Sequence, residues 1–151
     1  LYDDNPMDVD ANILIQLENG ANGTIRSSQI ATGEENNLRI SIYGDKGGLK
    51  WEQENPNYLY HLSDNEPMRV FKTAHPYNHD ISNISTKIPP GHPEGIFDSM
   101  GNIYNGVAKA IKKQKFDSVE FPSINEGVRG MDFIEKAVKS HQSGNIWMNL
   151  D

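Results

Sequence analysis

Hydrophobic and polar residues alternate along the first half of the chain and recur at helical spacing along the second. Ala11, Ile13, Ile15 and Leu17 alternate with Asn12, Leu14, Gln16 and Glu18. A period near two marks a half-buried strand. Asn19-Gly20 and Asn22-Gly23 follow and read as turn signals, because both residue types accept positive φ at low cost. Thr24 to Ala31 reads as the returning strand, making 11–31 a hairpin. Leu38, Ile40 and Ile42 alternate with Arg39, Ser41 and Tyr43 in the next strand. The glycine-rich run 44–48 turns it back into Leu49 to Glu52. Two weaker strands are expected around 57–62 and 68–73. Successive strands joined by short turns imply an antiparallel meander.

The period changes after residue 92. Ile96, Met100, Ile103, Val107 and Ile111 stand three or four apart and form one apolar stripe, predicting a helix over 93–114. Pro93 suits its first turn, where a missing N–H costs nothing. A second helix is expected from Ser123, with Ser123 and Glu126 spaced as a capping box. Ile124, Val128, Met131, Ile134 and Val138 form its stripe, Ser143-Gly144 ends it, and Ile146 to Leu150 can add a short final strand. Residues 74–92 show no periodicity and contain Pro76, Pro89 and Pro90; a loop this long in a compact domain is usually functional or disordered. Strands followed by helices give an α+β class: a mostly antiparallel open sheet with helices packed on one face. The other face is then solvated or covered by a partner.

The 151 residues suit one domain, taken here as 1–151, and can bury a core without a staple. The absence of cysteine excludes disulfides and thiolate metal sites. A net charge of −7 argues against nucleic acid as a partner, since phosphate binding needs a basic face. Lys109, Lys112, Lys113 and Lys115 cluster where the first helix ends, which suits the helix dipole. No apolar run has membrane length. Leu1 to Asp10 have neither the basic start nor the apolar run of a signal peptide. A cytoplasmic location is therefore expected, and the two sequon matches at Asn22 and Asn83 are discounted. The chain opens without Met in an acidic, irregular stretch from Tyr2 to Pro6, which reads as a fragment or a processed chain.

Candidate chemistry is sparse. No GxGxxG lies between a strand and a helix, so no dinucleotide cradle is visible. Residues 44–48 read as a hairpin turn. His75 and His79 have the spacing of a helical metal pair, but Pro76 and Asn78 argue against a helix there and favour solvated loop histidines. No serine sits in a nucleophile elbow. Ile88 to Gly95 is more informative. Pro89 and Pro90 stiffen it, Gly91 permits a sharp turn, and the run leads into a helix start. There His92 and Glu94 can meet a substrate hydroxyl; an ordinary helix start carrying a surface histidine remains the competing reading.

Four segments taken in order carry a resemblance: 10–23, 42–51 (Ile42 to Trp51), 88–95, and 121–135 (Phe121 to Glu135). Together they resemble the C-terminal domain of Gfo/Idh/MocA oxidoreductases, across nearly the whole chain. That resemblance implies an N-terminal Rossmann domain that binds NAD or NADP, absent from this chain. It implies hydride transfer at a hydroxyl-bearing carbon of a sugar, inositol or related polyol. It also implies a homo-oligomer formed through the open sheet face. From the strand pattern, Arg39, Ser41 and Tyr43 face opposite to Leu38, Ile40 and Ile42, and if that open face pairs, Tyr43 and its neighbours are expected to be buried only in the oligomer. The family's glycine motif, its Glu-Lys-Pro motif and its Asp-x-x-x-His pair have no counterpart here, so no catalytic residue transfers. The resemblance leaves His92, Glu94, Tyr77 and Trp51 as substrate-binding candidates, with Trp51 also readable as sheet packing. Alone, the chain is expected to be inactive, with no cofactor of its own. A stand-alone carbohydrate-binding or dimerisation module is the alternative, and a hydrolase built on His92 and Glu94 is a third reading.

Overall fold

The alternation that begins at Ala11 is carried into the backbone. In the computed structural model, which describes residues 8–115 and 120–150, β1 spans Asp10–Gln16 and β2 spans Asn22–Ser28. They pair antiparallel, with Ile13 opposite Ile25. Ala11, Ile13 and Ile15 are half-buried, while Asn12, Leu14 and Gln16 are exposed. The turn is made by residues 17–21, where the Leu17 amide donates to the Ala21 carbonyl and the Asn19 side chain accepts from the Ala21 amide. Only the first of the two expected turn signals acts as one. Asn22 and Gly23 instead lie in β2, opposite Gln16 and Ile15.

Four further strands follow: β3 (Arg39–Gly44), β4 (Gly47–Glu52), β5 (Tyr58–Leu62) and β6 (Arg69–Lys72). They form the expected meander, an antiparallel sheet in the order β3-β4-β5-β6, while β1 and β2 form a sheet of two. Gly44 pairs with Gly47, which leaves Asp45-Lys46 as a two-residue loop between β3 and β4.

Three helices complete the chain: α1 (Asp80–Ser85), α2 (Ile96–Ile111) and α3 (Ile124–Gln142). α1 lies inside the segment read as a loop without periodicity. It has six residues, too few for a stripe to show, and it is capped by His79, whose Nδ1 accepts from the Ile81 amide. α2 starts at Ile96 rather than Pro93. Gly95 is extended at its N-cap, and its amide donates to the Asp98 carboxylate at 2.8 Å. α3 starts as expected: the Ser123 amide donates to Glu126 at 2.7 Å, and the Asn125 amide donates to the Ser123 hydroxyl at 3.2 Å. The expected final strand over 146–150 does not form. Asn145 turns the chain with φ of 63°, and the Ile146 carbonyl accepts from the Ser140 hydroxyl instead of from a neighbouring strand. Near the end of α2, Lys109 pairs with Glu120 at 2.6 Å. The acidic opening stretch from Tyr2 to Pro6 lies outside the described residues.

The chain divides into two units, one of Leu1–Asn36 with Val128–Asp151 and one of Asn37–Gly127. The first holds the β1–β2 hairpin and most of α3. The second holds the four-stranded sheet, α1 and α2. No hydrophobic side chain among the described residues is fully buried. The apolar stripes of both long helices remain exposed, from Ile96 to Ile111 and from Ile124 to Ile134. β3 is exposed at all six positions. Among the described residues, no helix is long and apolar enough to cross a membrane.

Candidate functional site

The site candidates lie in the second unit, and their segments converge on a residue that periodicity did not single out. Asn57 precedes β5. Its side-chain Nδ2 donates to the Glu94 carbonyl at 2.8 Å, and its Oδ1 accepts from the Glu94 amide at 3.0 Å. One carboxamide thus satisfies both backbone groups of Glu94, as a neighbouring strand would. The same Oδ1 accepts from the Thr73 hydroxyl at 3.2 Å, and the Asn57 carbonyl accepts from the Thr73 amide at 3.2 Å. Asn57 therefore joins the start of β5, the end of β6 and the approach to α2. The pairing also fits the late helix start, because the Glu94 carbonyl accepts from Asn57 and Gly95 is extended.

The 88–95 turn is closed by its own residues. The His92 amide donates to the Pro89 carbonyl at 3.3 Å, with Gly91 at φ of 86° between them. Pro at the second position and a positive-φ glycine at the third are what a type II turn requires. The Glu94 carboxylate accepts from the Lys87 amide at 2.8 Å and ties the two ends of the loop together. Glu94 thus holds the loop in place, and its carboxylate is partly spent on that bond. His92 is exposed, and its Nδ1 lies 3.2 Å from the Pro89 carbonyl. A carbonyl only accepts, so a hydrogen bond here is one that Nδ1 would donate, and Nε2 has no protein partner among the described residues.

Tyr77 lies on the loop that leaves β6. Its hydroxyl accepts from the Lys72 amide at 3.2 Å, and its ring stacks on His75 at 4.8 Å and 6° between planes. Phe71 meets the Tyr77 ring edge-on at 5.7 Å, and His61 meets Phe71 edge-on at 6.4 Å. Asn78 donates to the Lys72 carbonyl at 2.7 Å. Ala74 is held at φ of 63° between these bonds, a conformation that costs a residue with a Cβ about 1 kcal/mol or more. The tie of Thr73 to Asn57 and the two bonds to Lys72 hold it there.

Trp51 is half-buried in β4, and its Nε1 donates to the Pro56 carbonyl at 3.0 Å. It braces the β4–β5 turn next to Asn57. His75 and His79 serve as a stacking partner and a helix cap. Among the described residues no three His, Asp or Glu side chains gather as a metal site. Nor is there a glycine cradle between a strand and a helix: the strand-to-helix passage after β6 runs through Ala74, His75 and Pro76, and the run 44–48 joins two strands. The described residues do not fit a dinucleotide pyrophosphate. Asn57 and Thr73 carried no local signal, since their bonds to the other segments cross 37 and 16 residues.

Comparison with known proteins gives a consistent set of relatives. The family described as "Oxidoreductase family, C-terminal alpha/beta domain" matches residues 4–150. An uncharacterized oxidoreductase of Bacillus subtilis, YfiI, is 32% identical over 151 residues, covering 96% of this chain and 38% of that protein. An oxidoreductase from Sinorhizobium meliloti superposes with a TM-score of 0.90 at 35% identity, over 97% of this chain and 43% of that one. An inositol dehydrogenase homologue from Azotobacter vinelandii, solved with NADH and myo-inositol, superposes with a TM-score of 0.78 at 26% identity, over 96% of this chain and 40% of that one. The chain spans less than half the length of these relatives. With the meander, the two long helices and the 88–95 turn in place, the chain belongs to the Gfo/Idh/MocA oxidoreductase family, as its C-terminal domain.

Proposed function

We propose that this chain is the substrate-binding and oligomerising domain of an NAD(P)-dependent oxidoreductase acting on a sugar, inositol or related polyol. The observation that carries the reading is the likeness to the Azotobacter vinelandii inositol dehydrogenase homologue, which was solved with NADH and myo-inositol. The geometry supports it. His92 and Tyr77 are exposed ring side chains on two loops tied to one asparagine. The exposed His92 ring offers a nitrogen to a substrate hydroxyl, and the Tyr77–His75 stack offers a flat ring face of the kind that suits a sugar ring. Glu94 and Trp51 act as supports, one on the loop and one on the sheet.

In this reading NAD or NADP is held by a separate Rossmann domain elsewhere in the full protein, and the chain alone turns nothing over. The cofactor supplies the hydride chemistry when bound. The residues described here bind and orient the polyol. The protein works in the cytoplasm as a homo-oligomer through the open sheet. Tyr43 in edge strand β3 is 68% exposed, a large ring on the face expected to be covered in the oligomer.

The test uses the full-length protein with NAD+ or NADP+ and a panel of inositols, sugars and linear polyols, read as nucleotide reduction. Turnover with a polyol is expected. In His92→Ala the polyol KM should rise about tenfold, the cost of one lost hydrogen bond, with the cofactor KM unchanged. Light scattering at micromolar concentration should show an oligomer. Sugar binding without nucleotide turnover would favour the stand-alone module. Cofactor-free hydrolysis that is lost in His92→Ala would favour a hydrolase.

A further inference from the structure

Asn57 does more than close a turn. A loop carrying an exposed histidine and a loop carrying an exposed tyrosine are each anchored to this one side chain, the first through Glu94 and the second through Thr73. The anchoring is specific to a carboxamide. Nδ2 can only donate and Oδ1 can only accept, which matches the carbonyl of Glu94 on one side and the Glu94 amide and Thr73 hydroxyl on the other. Asn57 is half-buried, so its bonds are partly shielded from water. Around it the backbone is already committed: Ala74 stands at positive φ beside Thr73, and Gly91 stands at positive φ two residues before Pro93. Neither loop has another described bond of this kind to the body of the sheet, apart from the Tyr77 and Asn78 bonds to Lys72 at the end of β6.

We propose that Asn57 is a positioning residue for polyol recognition: it sets the place of the His92 turn relative to the Tyr77 loop, and so the fit of the hydroxyl pattern between them. This rests on the functional reading above and deepens it. A substitution that keeps the fold but loses the two-way pairing lets the His92 turn shift against the Tyr77 loop, and a displacement of about 1 Å is enough to change binding strongly. The effect falls on the polyol and not on the nucleotide, because the described residues form no dinucleotide cradle.

The experiment compares the full-length wild type with Asn57→Asp, Asn57→Ala and Thr73→Val. KM for the preferred polyol, KM for the nucleotide and preference between two stereoisomeric polyols are measured, with circular dichroism and thermal unfolding as fold controls. Asn57→Asp keeps the shape and the acceptor but cannot donate to the Glu94 carbonyl when ionised. The expected result is a polyol KM raised about tenfold or more in Asn57→Asp and Asn57→Ala, an altered stereoisomer preference, and an unchanged nucleotide KM. Thr73→Val removes one bond and should give a smaller rise. If Asn57→Ala does not fold, Asn57→Asp carries the test. An unchanged polyol KM and preference in a folded Asn57→Asp overturns the proposal while the functional reading stands. Equal rises in both KM values also overturn it, since that is what general loosening would produce. A wild type that reduces no nucleotide with any polyol overturns the functional reading and this proposal with it.

Discussion

Gly106 and Phe121 lie too close for any side chain to stand between them. A Cβ built on Gly106 would lie 2.9 Å from Cδ1 of Phe121 and 2.8 Å from Cβ of Glu120. Glycine in the middle of α2 costs up to about 1 kcal/mol of helix propensity relative to alanine, and this close approach is the reason it is there.

Gly106→Ala sets those two effects against each other. The gain in propensity is about 1 kcal/mol, whereas forcing a methyl into a filled contact costs about 1–3 kcal/mol. The atoms it meets are a Cβ and a ring carbon close to the backbone, so a single flexible side chain cannot swing away. We expect net destabilisation of up to about 2 kcal/mol in urea unfolding. Gly101→Ala, in the same helix with nothing within 4 Å, is the control and should stabilise by about 0.5–1 kcal/mol. Equal effects at the two positions would remove the steric account of Gly106.

Ser123 and Glu126 test the start of α3. Ser123 caps the Asn125 amide, and Glu126 takes the Ser123 amide in return. Ser123→Ala should cost about 1 kcal/mol. The double change Ser123→Ala with Glu126→Ala should cost less than the sum of the two single changes, because the two caps share Ser123. Strict additivity in a double-mutant cycle would mean that the caps act separately.

That cap was readable beforehand because its partners are three residues apart, and so were the strand alternation from Ala11 and the stripe from Ile96 to Ile111. What escaped was held by distant partners or was too short to show a period. α1 has a single turn and a half, with a histidine in the capping position, so neither a stripe nor a preferred cap announced it. α2 starts three residues later than Pro93 suggests because Asn57, far away in sequence, engages the Glu94 carbonyl. Ile146 to Leu150 is a mostly apolar run that suits a strand, but a strand needs a neighbour, and the Ile146 carbonyl accepts from the Ser140 hydroxyl. For the candidate site, the sequence points to the two loops and their rings as candidates, while Asn57, which joins those loops, looks like any polar residue in an Asn-Pro-Asn turn.

Gly91→Ala tests whether the 88–95 turn matters beyond stability. At φ of 86° a side chain is strained, so unfolding should show a loss of about 1–2 kcal/mol. If the turn presents His92 to substrate, the polyol KM of the full-length protein should also rise, with the nucleotide KM unchanged. A stability loss without a polyol effect would make the turn purely structural.

Trp51 separates support from recognition. Trp51→Phe keeps most of the apolar ring and removes the Nε1 bond to the Pro56 carbonyl, leaving that carbonyl to find water at a half-buried position. The expected cost is about 1 kcal/mol of stability. Because Pro56 adjoins Asn57, a brace that matters to the site would pass its loosening on to polyol binding. The bonds that place Asn57 are its own ties to Glu94 and Thr73, and Trp51→Phe leaves all of them intact. The polyol KM should therefore stay within about twofold of the wild type while the unfolding midpoint falls. A larger rise, at a temperature where the variant is fully folded, would move Trp51 from the sheet's packing into the recognition of substrate.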